Sequence, residues 1–126
     1  MQVVLAVSDL PCSVEFYERG VDWPRNERID YANYVELLPP DGGSVSLFES
    51  DGYAQLVGAA STPVADGKAS PAYVYVRVDD VETAATRVEE AVRATAQPAR
   101  AAVVGDEAAW FADPDGHGGR AVGLAR

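Results

Sequence analysis

A strand-then-helix unit occurs twice in this chain, 71 positions apart, and that repetition restricts the fold more than any other feature. Leu5-Ala6-Val7-Ser8-Asp9-Leu10 runs into Pro11-Cys12-Ser13-Val14-Glu15-Phe16-Tyr17-Glu18, and Val76-Arg77-Val78-Asp79-Asp80-Val81 runs into Glu82-Thr83-Ala84-Ala85-Thr86-Arg87-Val88-Glu89. Identity between the copies is low, with Val7 matching Val78, Asp9 matching Asp80 and Glu18 matching Glu89, so the pattern carries the inference. Two copies of one unit can pair and enclose a ligand site between them.

The remaining pattern extends each copy to β-α-β-β-β. Residues 2 to 8 are apolar and β-branched, ended by Asp9 and Pro11, which suit a helix start. Leu10, Val14 and Tyr17 then give a short amphipathic helix that stops near Gly20. Strands are expected at 25 to 30, 33 to 38 and 44 to 49, the last two joined by Pro39-Pro40-Asp41-Gly42-Gly43. In the second copy a strand over Tyr73 to Val78 precedes a helix with Val81, Ala84, Ala85, Val88 and Val92 on one face, and strands follow near 95 to 99, 107 to 112 and 120 to 125. The expectation is one α+β domain: module 1–57, a Gly-, Ala- and Ser-rich linker 58–71, and module 72–126, forming a curved mixed sheet around a cleft.

At 126 residues, 48% of them apolar, the chain suffices for one core and not for two independent ones. Its net charge of −10 argues against nucleic acid and anionic membrane surfaces, which are bound through clustered Lys and Arg. A single cysteine, Cys12, cannot form an internal disulfide, and these residues contain no charged-then-apolar leader or long apolar run. The expected setting is a reducing cytoplasm.

Alternation assigns the strand faces. Val74, Val76 and Val78 point toward the helix, leaving Tyr73, Tyr75 and Arg77 opposite; Val3, Leu5 and Val7 are the buried set of the first strand, leaving Gln2, Val4 and Ala6; Val45 and Leu47 are buried while Ser44, Ser46 and Phe48 face away. Polar and aromatic residues on the non-helix face suggest a lined concavity, with Trp23 and Tyr53 at its rims. Taken singly, Trp110 and Phe48 suit a core equally well.

Trp110-Phe111-Ala112-Asp113-Pro114-Asp115-Gly116-His117 contains a type I turn between the last two strands. With Val7-Ser8-Asp9-Leu10 leading into Phe16-Tyr17, and with paired β-α-β-β-β units, the chain resembles the vicinal oxygen chelate superfamily. That group includes glyoxalase, bleomycin-resistance proteins, extradiol dioxygenases and fosfomycin-resistance enzymes. The resemblance implies, in metal-dependent members, His, Glu or Gln ligands on the first and last strands of each unit, the first-strand ligand seven residues before the helix-starting Asp. Those positions hold Gln2 and Tyr73, then Ser46, then Arg120, or Gly123 if Gly118-Gly119-Arg120 is an insertion. A first-row metal needs three or four converging His, Cys or carboxylate donors, so no metal and no cofactor is expected. Glu49 and His117 enter only in a different register, and His117 fits a turn better than a metal.

No nucleophile-base pair or phosphate cradle is evident, and Glu49 and Asp106 do not stand out from surface carboxylates. What remains is a small-molecule site lined by Gln2, Ser46, Phe48, Tyr73, Tyr75, Arg77, Trp110 and Arg120, suited to an aromatic or cationic antibiotic or metabolite. The competing reading is a lyase, isomerase or dioxygenase of the same superfamily with a degenerate metal site. Exposed strand edges point to a homodimer, side by side or by exchange of modules.

Overall fold

The computed structural model describes residues 1–58, 74–94, 101–104, 108–114 and 121–125. Strand β1 (Gln2–Val7) ends at Asp9, whose extended backbone and carboxylate cap helix α1 (Leu10–Val14) by accepting the Cys12 N–H at 3.1 Å, with Pro11 in the first turn. After β4 (Val74–Arg77), Asp80 does the same for helix α3 (Val81–Arg93), accepting the Thr83 N–H at 2.9 Å. The aspartates shared by the two copies therefore do identical work.

Helix α1 continues as one π-helical stretch, Glu15–Gly20, closed by the Val21 N–H on the Phe16 carbonyl at 2.9 Å. The wider winding turns Phe16, Tyr17 and Gly20 inward against α3. A Cβ at Gly20 would lie 3.3 Å from Ala91 Cβ and 3.4 Å from Val88 Cα, so only glycine permits this approach without displacement. The Gly20 carbonyl accepts from Arg87 Nε at 3.1 Å. A second tie is buried: Tyr17 OH donates to Asp113 Oδ2 at 2.6 Å, joining the π-helical stretch to the residue that follows β6 (Ala108–Ala112).

Strands β2 (Tyr34–Leu37) and β3 (Ser44–Glu49) complete a first sheet ordered β1-β3-β2, with β1 parallel and β2 antiparallel to the central β3. Strands β5 (Ala101–Val104) and β7 (Ala121–Ala125) complete a second, ordered β4-β7-β6-β5, in which β4 and β7 are parallel. The fold is thus mixed α+β with two small mixed sheets. Leu47, Leu37, Val76, Phe111, Val122 and Leu124 form the buried sides of these sheets and join the helices in one core.

Several expectations are corrected. Residues 25 to 30 form no strand: only a single bridge, Arg25 to Leu37, is made there. Val3 is 45% exposed, on β1, which is an edge strand of its sheet. Trp23 is core, not rim, lying beneath the loop and stacked on Tyr17 at 5.8 Å. A further helix, α2 (Ser50–Val57), follows β3, held by Ser50 Oγ donating to the Val7 carbonyl at 2.9 Å and stopped by Gly58 in the left-handed region. The fifth strand lies at 101–104; the expected strand at 95 to 99 falls outside the described residues, as do most of the linker and the turn beyond Pro114.

Candidate functional site

On the face of the first sheet opposite the buried Val35, Leu37 and Leu47, the side chains of Gln2, Tyr34 and Ser46 close a triangle of hydrogen bonds. Gln2 Nε2 donates to Tyr34 OH at 2.6 Å and to Ser46 Oγ at 2.7 Å, and Tyr34 OH donates to Ser46 Oγ at 2.7 Å. Glu36 borders it, 3.4 Å from Gln2 Nε2, and is held by Asn26 Nδ2 at 3.0 Å. Ser46 is fully buried beneath this cluster. An aromatic row adjoins it: Phe48 meets Tyr34 edge-on at 5.3 Å and Tyr53 at 6.5 Å, and Tyr31 meets Tyr34 at 6.4 Å.

On the second sheet, Tyr75 and Trp110 lie 6.1 Å apart, tilted by 57°, with Gly123 between them in the strand register. Tyr75 is 52% exposed, and Arg77 is exposed two residues along the same strand. Ala109 and Phe111 are buried on the other side of β6, so alternation places Trp110 away from the core.

Of the residues expected to line the site, Gln2, Ser46 and Phe48 are therefore gathered on one sheet, and Tyr75, Trp110 and Arg77 on the other. Tyr73 and Arg120 lie outside the described residues, as do His117 and Asp106. Tyr34, Glu36 and Asn26 were missed. The first two were legible, since Tyr34 and Glu36 alternate with the buried Val35 and Leu37 just as Ser46 and Phe48 alternate with Val45 and Leu47.

Register decides which residue corresponds to Ser46. In the first sheet Val4 pairs with Ser46 and Ser46 with Glu36; in the second Tyr75 pairs with Gly123 and Gly123 with Trp110. Val4 and Tyr75 are equivalent in the repeat, so Gly123 is the counterpart of Ser46. A sequence model of the glyoxalase/bleomycin resistance protein/dioxygenase superfamily matches residues 1–118.

The chain belongs to this superfamily.

Solved structures of the glyoxalase/bleomycin resistance protein/dioxygenase superfamily share its fold over nearly the whole chain. A glyoxalase-related enzyme from Fulvimarina pelagi is 20% identical, with a TM-score of 0.70 over 98% of this chain and 84% of its own. A family enzyme from Burkholderia phytofirmans PsJN is 14% identical, with a TM-score of 0.64 over 99% and 97%. TnmS3, an antibiotic binding protein from Streptomyces sp. CB03234, is 19% identical, with a TM-score of 0.60 over 98% and 91%. No curated protein matches the sequence significantly. At such identities the likeness concerns the fold alone.

The residues do not fit a divalent cation at the superfamily's ligand positions. Gln2 offers no more than one neutral amide oxygen; Ser46 is buried and engaged by two donors; Gly123 has no side chain. Among the described residues no group of three or more His, Cys, Asp or Glu side chains converges. No described helix is long and apolar enough to cross a membrane.

Proposed function

We propose that the protein is a metal-independent binding protein that captures an aromatic or cationic small molecule, an antibiotic or metabolite, on the two faces just described. The observation that carries this is the lack of a charged chelating group at Ser46, which is hydrogen-bonded instead to Gln2 and Tyr34, next to the aromatic side chains Phe48, Tyr34, Tyr75 and Trp110. Flat rings offer stacking and burial without chemistry, and the Gln2, Tyr34 and Glu36 edge offers directed hydrogen bonds. Arg77 completes the proposed lining among the described residues. The relation to an antibiotic binding protein is in keeping with this reading.

A thermal-shift screen of planar compounds, followed by titration of the hits, tests the proposal. Tyr75→Ala should weaken binding by about 1–3 kcal/mol, the range for lost stacking and burial. Arg77→Ala should matter for anionic ligand groups, with an effect softened by salt. Hits that bind Tyr75→Ala as tightly as the parent protein would remove this face from the site.

The cytoplasmic protein is a homodimer in this reading, because β1 and β4 are both edge strands, with Val3, Val4 and Tyr75 exposed beside them. Each module, 1–57 and 72–126, supplies one such edge. Light scattering at micromolar concentration should return twice the chain mass; a single-chain mass would contradict it.

A further inference from the structure

We propose that Trp110 and Gly123 act as one unit: the indole fills the space that a metal-ligating side chain at position 123 would need, which closes this half of the superfamily's metal centre and lines it with an aromatic ring. Gly123 is buried, and it sits opposite Trp110 across the antiparallel β6–β7 pair. A Cβ built at 123 would lie 2.8 Å from both Cη2 and Cζ3 of the indole and 3.1 Å from Cε3. These are three consecutive atoms of the six-membered ring, so that ring occupies the space a Cβ at 123 would take. An indole is rigid, with two torsions to adjust, and it borders Tyr75 on the neighbouring row. Any side chain at 123, a carboxylate included, must displace the ring.

The same row in the first sheet is built differently. Ser46, the counterpart of Gly123, faces Glu36, the counterpart of Trp110, and the space between is filled by hydrogen bonds to Gln2 and Tyr34. The face of the first sheet is thus polar there, and that of the second is aromatic, formed by Trp110 and Tyr75 with their ring planes 57° apart. The ligand class that suits this division has a planar apolar face and a hydrogen-bonding edge, with no requirement for paired oxygens that chelate. This choice of ligand rests on the binding function proposed above; the closure by Trp110 does not.

The test is a cycle of melting temperatures on the full chain: parent, Gly123→Ala, Trp110→Ala and the double variant. Gly123→Ala should lower the melting temperature by about 4 °C or more in the parent, as overpacking does. In the Trp110→Ala background the same change should leave it unchanged or raise it, because alanine restrains a strand better than glycine and the obstructing ring is gone. Equal losses in both backgrounds, or no loss in the parent, would overturn the closure. In parallel, Gly123→Glu titrated with manganese and nickel chloride should show no saturable rise in melting temperature, whereas such a rise would show that a carboxylate at 123 is accommodated and that the ring does not close the centre. Failure of every planar compound to bind, with the cycle as expected, would sink the binding function and leave the closure standing.

Discussion

Truncation of Tyr17 to alanine should cost about 3–5 kcal/mol of folding free energy, the range for removing a large buried ring. Tyr17 is fully buried, stacked on Trp23 at 5.8 Å with 18° between the planes and edge-on to Phe16 at 5.0 Å. It also spans the two halves of the chain through its hydroxyl, which meets the buried carboxylate of Asp113. Tyr17→Phe separates these roles, since it keeps both ring contacts and removes one donor from a carboxylate that is 2% exposed. That change should cost about 1–3 kcal/mol, the penalty for leaving a buried polar group short of a partner. Denaturant unfolding of the two variants checks both figures. A Tyr17→Phe variant as stable as the parent would mean that the hydroxyl adds nothing to the joint.

Leu47 and Phe48 are neighbours in sequence and should behave oppositely. Leu47 is fully buried at the centre of the first sheet, and Leu47→Ala should cost about 2–5 kcal/mol of stability. Phe48, half-buried on the other face among Tyr34 and Tyr53, should cost less on truncation and instead weaken binding of a planar ligand by about 1–3 kcal/mol. Urea unfolding and ligand titration on the same two variants give the comparison. If Phe48→Ala unfolds the protein as readily as Leu47→Ala, the face carrying the aromatic row is core and the proposed site is lost.

The parts of the fold that were legible in the sequence share a physical cause. Asp9 and Asp80 announce their helices because a cap is a local hydrogen bond, readable over three residues. Alternation succeeds in β4, where Val76 is buried between exposed Tyr75 and Arg77; in β3 it is masked, because Ser46 is buried under Gln2 and Tyr34 and α2 packs on Phe48. It fails at Val3, since an edge strand can leave apolar residues in solvent at little cost. Helix α2 buries none of its residues and leaves Leu56 and Val57 exposed, and Gly52 within it argues locally against a helix. The widened turn at Glu15–Gly20 answers to packing against α3, a contact between segments far apart in sequence. Trp23 was placed at a rim because its position in a loop says nothing of Tyr17 beneath it.

For the site, the meeting of Gln2 with Ser46 follows from the family resemblance and the offset from Asp9. The roles of Tyr34 and Glu36 required only that alternation be carried into a third strand. The choice between Gly123 and Arg120 could not be made from sequence, because it depends on how many residues the turn after Pro114 absorbs before β7 begins. Pairing of Tyr75 with Gly123 supplies the register that the turn leaves open.

In the proposed function, ligand capture needs no metal. Titration of a planar ligand found by the screen into protein stripped with a chelator, followed by melting temperature, tests it most directly. The stripped protein should be stabilised to the same saturating value as untreated protein, and addition of zinc, nickel, manganese or iron(II) should change neither curve. Loss of the ligand response on stripping, with recovery at one equivalent of any of these ions, would contradict the account and favour a lyase, isomerase or dioxygenase built on a divergent metal centre.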